Sequence, residues 1–236
     1  MEYNFFFHFH PNHTILCVCR RMRHQVSWGK HSPSSYRGKN KATAGGRADF
    51  SAFFPIVILK DPFTWMQSFC RHWYGSRWIR PPNHCPNLVP INQSEKQLLD
   101  SKHQSTYEVT LRYKQDWVTY SSMVDLWNTW YNDYVYQVNF PRLIIRFEDI
   151  LFNIETIVSE ICECVGGEME PQFQYTTESA KEADYGHKGS SNLLQSIIKY
   201  GNTKNRFKDF TEEDKNFAME NLENSLMEDF HYSSDN

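Results

Sequence analysis

The sequence predicts an α/β domain built on a parallel sheet, and three stretches carry that expectation. The first is Pro55 to Tyr74, where the apolar, β-branched run Ile56-Val57-Ile58-Leu59 ends at Lys60-Asp61-Pro62 and an aromatic, helix-compatible segment follows. The second is Pro141 to Gly167, which repeats the order: Leu143-Ile144-Ile145, a turn at Arg146 to Asp149, then a periodic apolar stretch. Short apolar runs of this kind become strands buried on both faces, as parallel strands are. The third is an aromatic stripe between the two units, at three- and four-residue steps, which reads as a core helix.

At 236 residues the chain suits one domain with a sizeable core. Hydrophobic residues make up 40%, and aromatics reach 16%, which supplies large buried area per residue. The net charge of −3 argues against a general polyanion binder such as a nucleic-acid protein, so any phosphate or sulfate site must be a local basic cluster. No apolar run is long enough to span a membrane. The six cysteines do not form a disulfide scaffold, although Cys70 and Cys85 flank a Trp/Arg/Pro-rich loop and could close it. Cys17, Cys19, Cys162 and Cys164 are expected to be free thiols.

Within Pro55 to Tyr74, Asp61 is a good N-cap and Pro62 a good first helical residue, because its missing N–H would have no intrahelical partner. In an open α/β sheet such a turn lies at the carboxyl end of a strand, where these folds bind ligands. Lys60, leaving the strand, and Ser68, about two turns up the helix, are the groups there suited to an anion. An ordinary turn with a solvated lysine is the competing reading.

An apolar strand ending in Lys-Asp-Pro, with a serine eight residues after the lysine, resembles the 3′-phosphate-binding segment of the sulfotransferases, which use 3′-phosphoadenosine-5′-phosphosulfate (PAPS) as sulfuryl donor. The resemblance implies that Lys60 and Ser68 grip the 3′-phosphate. Arginine is usual at the first of these positions, so lysine would act as a point charge without the bidentate fork. The implied fold is a parallel-sheet, nucleotide-binding fold like that of the P-loop NTPases.

The other stretches are read against that family in order. Met1 to His24 does not match it, and the spacing of His8, His10, His13, Cys17 and Cys19 fits no zinc pattern, so no metal is expected. Sulfotransferases carry a Lys and a His close together before the 3′-phosphate segment. In Gln25 to Tyr36 these would be Lys30, supporting the transferring sulfuryl group, and His31, the base for the acceptor hydroxyl. Here the two are adjacent, whereas the cytosolic branch separates them by one residue; a polar loop before Pro33 is the alternative. Arg37 to Asp49 reads as a solvated basic linker, with basic residues facing an anionic substrate or the nucleotide as the alternative, and without a Walker-type G-x-x-x-x-G-K-[ST] loop.

Gly75 to Ser105 is expected to be a long surface connection, and Thr106 to Tyr113 alternates as a strand or hairpin arm. Asp116 to Val138 is predicted as one long helix carrying Trp117, Tyr120, Met123, Trp127, Trp130, Tyr134 and Val138. Arg146-Phe147-Glu148-Asp149-Ile150 is similar to the family's Arg-Tyr-Glu-Asp-Leu unit; Glu148 and Asp149 are read as structural, with a catalytic carboxylate pair as the rival. Gly166-Gly167 should end the following helix. Another helix is expected from Asn192. The stretch Lys199 to Thr211 is similar to the family's basic Gly loop that closes over the nucleotide and ends in Phe-Thr, making Lys204, Arg206 and Lys208 candidates for phosphate contact. Thr211-Glu212-Glu213-Asp214 is a capping-box-like helix start. Asn12-His13-Thr14 and Asn92-Gln93-Ser94 match the N-glycosylation acceptor pattern, which is short enough to arise by chance.

The resemblance covers Gln25 to Tyr232, so residues 25–236 are expected to form the sulfotransferase-like domain and residues 1–24 to lie outside it. It implies sulfuryl transfer to a hydroxyl acceptor, a carbohydrate, in the secretory pathway or Golgi. It also implies a Lys-Ser/Thr-Gly-Thr-Thr loop for the 5′-phosphosulfate, well upstream of Gln25; only 24 residues precede Gln25, none Gly-rich, so the fold is expected to be incomplete at its N-terminus. The rival classes are a non-catalytic module on the same fold and a nucleoside or sugar kinase, which would need the missing Walker-type loop.

Overall fold

A computed structural model of the chain describes residues 33–35, 55–71, 75–80, 84–113, 116–169 and 193–232, with Phe173 and two short strands near the start. Those strands, β1 (His8–Phe9) and β2 (Ile15–Leu16), pair antiparallel. The protein is α/β, with a small parallel sheet and helices around it. β3 (Ile56–Leu59) continues through Lys60-Asp61 into helix α1 (Pro62–Arg71), with Asp61 and Pro62 in the predicted roles: the Asp61 carboxylate accepts the Thr64 N–H at 2.9 Å. The second unit matches it. β6 (Leu143–Arg146) leads directly into α4 (Phe147–Phe152), and β3 and β6 pair in parallel over four residues, Ile56 opposite Leu143 and Leu59 opposite Arg146. Both strand ends therefore open onto the same edge, with a helix leaving each.

Several expectations for the connecting stretches change. Gly75 to Ser105 is not a structureless surface insertion: α2 (Gln93–Asp100) forms within it, capped by Asn92, and Leu88 and Leu99 are buried. The predicted helix from Asp116 is a strand at its start. β4 (Val109–Tyr113) and β5 (Asp116–Tyr120) form an antiparallel hairpin, and α3 (Met123–Asn132) begins only after Ser122 accepts the Asp125 N–H. A π-helical turn, Asp133–Gln137, follows, and the Arg142 guanidinium donates to the carbonyls of Val135, Val138 and Phe140. The apolar stretch after β6 divides at Asn153 into α4 and α5 (Ile154–Cys164). Gly166, at φ +70°, ends α5 as predicted, in a left-handed conformation that glycine adopts without Cβ strain. β7 (Gly167–Glu168) pairs in parallel with β2.

The chain closes with α6 (Leu193–Gly201), a 3₁₀ turn at Thr203–Asn205, α7 (Glu212–Asn221) and α8 (Asn224–Asp229). The core gathers Leu59 from β3, Phe63, Met66 and Phe69 from α1, Met123, Leu126, Trp127 and Tyr131 from α3, Leu222 just past α7 and Leu226 from α8. Cys70, at the end of α1, is bonded to Cys85 with Cα atoms 5.9 Å apart, as the sequence allowed. Cys162 is disulfide-bonded, where a free thiol was expected; Cys164 is free and exposed.

Candidate functional site

The carboxyl ends of β3 and β6 position the site. Lys60 is the first residue past β3, and the residue is only 9% exposed. Its backbone is fixed by the buried Trp127, whose indole N–H donates to the Lys60 carbonyl at 3.0 Å. Its ammonium donates to Ser68 Oγ at 2.9 Å and to the Tyr200 hydroxyl at 3.0 Å. The same Nζ lies over the rings of Phe147, the first residue past β6, and Tyr200, at 4.7 and 4.4 Å from their centroids. Ser68 donates in turn to the Thr64 carbonyl and accepts from Arg71 at 3.1 Å. No ion pair joins Lys60 to a carboxylate among the described residues.

The surroundings are cationic. Burial pushes the Lys199 ammonium below its usual range, the adjacent Tyr200 opposes that, and the nearby charges of Arg71, Lys60 and Lys208 push it down further. Tyr200 is held the other way. Burial alone would raise its phenol, but the Lys60 ammonium, by charge and hydrogen bond, and then Lys199 outweigh it and bring the value down to about 8. A phenol on a buried ammonium, ringed by further cations, is an environment in which a bound anion would be stabilised.

The carboxylates nearby serve the framework. Asp61, besides capping α1, accepts from Arg206 Nε at 2.8 Å in a buried ion pair. Glu148 accepts the Asp61 N–H at 3.2 Å and the Tyr232 hydroxyl at 2.7 Å. Burial is the main cause that lifts the Glu148 carboxyl above its usual range, against the lowering effect of those donors. Asp149 pairs with Arg146 through both guanidinium arms. These contacts fit the structural reading of Glu148 and Asp149: they tie the two strand ends and the chain's last described residue together.

The structure thus brings together Lys60, Ser68 and Arg206 among the expected residues, although Arg206 reaches the turn through Asp61. Its segment is docked by Gln67, whose amide donates to the carbonyls of Asn205 and Arg206 at 2.9 and 2.8 Å, and by Phe63 packing on Phe207 and Phe210. Lys204 is exposed on the 3₁₀ turn, and no contact joins it to the Lys60 group. Lys30 and His31 lie outside the described residues. The end of their stretch is placed: Pro33 and Ser34 are buried, and Ser35 N–H donates to Asp133 at 2.8 Å.

Tyr200, Lys199, Phe147 and Arg71 were not named from sequence as parts of this site. Arg71 was the most accessible of them, since it lies three residues after Ser68 on one helix face. Tyr200 stands directly before the Gly201 that opens the basic loop, but nothing local marks its hydroxyl as a partner for Lys60. In comparisons with known proteins, the chain matches no family model, no curated sequence and no solved structure.

Proposed function

We propose that this chain is a sulfotransferase-like nucleotide-binding domain in which Lys60, Ser68, Arg71 and Tyr200 hold the 3′-phosphate of PAPS or of its product, adenosine 3′,5′-bisphosphate. The observation that carries the reading is the Lys60 ammonium: nearly buried, at the carboxyl end of a parallel strand, and matched by two hydroxyls and two ring faces instead of a carboxylate. Burying an unpaired charge is costly, and a phosphate in the cationic surroundings would offset that cost. The proposed fold is the parallel-sheet, P-loop-like sulfotransferase fold, of which β3 and β6 are two strands. The proposed reaction is in-line sulfuryl transfer to a carbohydrate hydroxyl, with His31 taking the hydroxyl proton and Lys30 stabilising the charge that develops on the bridging oxygen. The Cys70–Cys85 bond supports a secretory-pathway location, because such bonds persist in oxidising compartments.

Calorimetry with adenosine 3′,5′-bisphosphate tests the assignment. Losing a charged hydrogen bond costs about 1.5–3 kcal/mol, so Lys60→Ala should weaken binding by roughly 10- to 100-fold. Lys102→Ala, at an exposed position beyond α2, should leave it unchanged. Equal affinities for the two variants would remove the site.

The sequence of the chain contains no Lys-Ser/Thr-Gly-Thr-Thr stretch to cradle the 5′-phosphosulfate, which favours a second reading, a nucleotide-binding module without turnover. Radiolabelled sulfate transfer separates the two. The 236-residue chain is expected to bind nucleotide and transfer little sulfate; turnover at rates typical of an enzyme would overturn the module reading.

A further inference from the structure

We propose that Asn92 carries an N-linked glycan. The acceptor pattern Asn92-Gln93-Ser94 lies at the start of α2, and all three residues are exposed. The Asn92 side chain is oriented by its neighbours. Its Oδ1 accepts the Ser94 hydroxyl at 2.6 Å and the Glu95 N–H at 3.0 Å, so the carbonyl half of the amide serves as the helix cap. On the other half, Nδ2 donates to Glu95 Oε1 at 2.9 Å. Nδ2 has two hydrogens, and this bond uses one. Replacing the other by a sugar leaves the cap and the Glu95 contact in place. Glu95 is itself buried and held by the Ile91 N–H and the Tyr107 hydroxyl, so the attachment point is a fixed feature of the surface.

A second observation supplies the compartment. Cys70 is bonded to Cys85, and Cys162 is also disulfide-bonded, which places the chain on an oxidising route. In eukaryotic cells that route also carries the machinery that modifies exposed Asn-x-Ser/Thr sites. The donor is an oligosaccharide on a lipid pyrophosphate. A bond forms between Nδ2 and the anomeric carbon, the bond from that carbon to the pyrophosphate oxygen breaks, the lipid pyrophosphate leaves, and Nδ2 gives up one proton. This inference rests on the acceptor site and the disulfides, and it stands or falls separately from the nucleotide reading.

The test is expression of the full chain behind a cleavable secretion leader in a eukaryotic cell. An amidase that releases N-glycans is then applied in heavy-oxygen water, and peptides are mapped from both secreted and retained protein. The expected result is a heavy-isotope aspartate at position 92, a mobility shift that Ser94→Ala reduces by one glycan, and retention of the glycan at position 92 in Ser94→Thr. Because Ser94→Ala keeps the Asn92 cap and its bond to Glu95, it should melt as wild type produced with glycan transfer blocked does. Unmodified Asn92 in protein whose Cys70–Cys85 bond has formed would overturn the proposal, as would a modified position 92 in Ser94→Ala, since the hydroxyl would then play no part.

Discussion

The phenol of Tyr200 shares the Lys60 ammonium with Ser68, and that sharing makes the site sensitive to proton concentration. With a native value of about 8, below the ordinary phenol value, Tyr200 favours the folded state most when ionised. That stabilisation is fully present above the unfolded value near 10 and is lost as pH falls through about 8. A bound phosphate reverses the preference, because a phenolate beside it would repel it while a neutral phenol can donate to it. Affinity for adenosine 3′,5′-bisphosphate should therefore be level below pH 8 and fall by up to about tenfold per pH unit above it. Tyr200→Phe should bind more weakly at neutral pH but lose that decline. Calorimetry between pH 7 and 9.5 reads both; a wild-type affinity that stays level to the upper end would show that Tyr200 does not face the anion. Lys60 and Ser68 were legible from sequence because a strand end and a helix two turns on are a local geometry. Tyr200 was not, because 140 residues separate it from Lys60 and only the packing of α6 beside α4 brings them together.

At the scale of elements, apolar period was a good guide where one element ran its whole length and a poor one where two elements met. The Trp117–Tyr120 step fits a helix, but in β5 residues three apart point to opposite faces: Trp117 is 42% exposed and Tyr120 is 5% exposed. The better signal was Ser122 followed three residues later by Asp125, a helix start inside the apolar pattern. The start of α7 shows the opposite case, a cap with a longer reach than its sequence suggests. Thr211 accepts the Asp214 N–H as predicted, while the Asp214 carboxylate accepts the Leu88 and Val89 N–H groups at 2.7 and 3.1 Å and the Thr211 hydroxyl at 2.6 Å. It is wholly buried, with His84 Nε2 at 3.3 Å. One side chain therefore satisfies the backbone of a loop more than a hundred residues earlier. Asp214→Ala would leave those donors unsatisfied in the interior and should cost about 3 kcal/mol or more. Urea denaturation checks this, and a loss below about 1 kcal/mol would mean that the loop finds other partners.

Across the whole molecule, the turn at Lys60 is where distant parts of the chain meet. Arg206 reaches Asp61, Gln67 holds the 205–206 backbone, Tyr232 reaches Glu148, and Trp127 holds the Lys60 carbonyl. The two strand–helix units and the starts of α6 and α7 were readable because each is a local pattern, whereas the break that separates α8 from α7 was not. The convergence was not, because it is made by single polar contacts between segments with no shared period. The Cys70–Cys85 bond is the covalent member of this set. It closes a 15-residue separation, and a loop of that length corresponds to about 3 kcal/mol of stabilisation in the chain-entropy model. The Cys70→Ser/Cys85→Ser double variant should lose about that much, as read from the shift in its urea midpoint. Cys70 also lies between Ser68 and Arg71 on α1, so the bond that braces the helix braces two groups of the proposed anion site. The double variant should accordingly bind adenosine 3′,5′-bisphosphate more weakly as well; unchanged affinity would mean that core packing alone holds the last turn of α1. On the proposed reading, a chain with both thiols reduced would then be a poorer match for the nucleotide than the bonded one. The grip would be set by the redox state of one pair of sulfur atoms as much as by the shape of the site, so that a mild reductant should loosen it without unfolding the core.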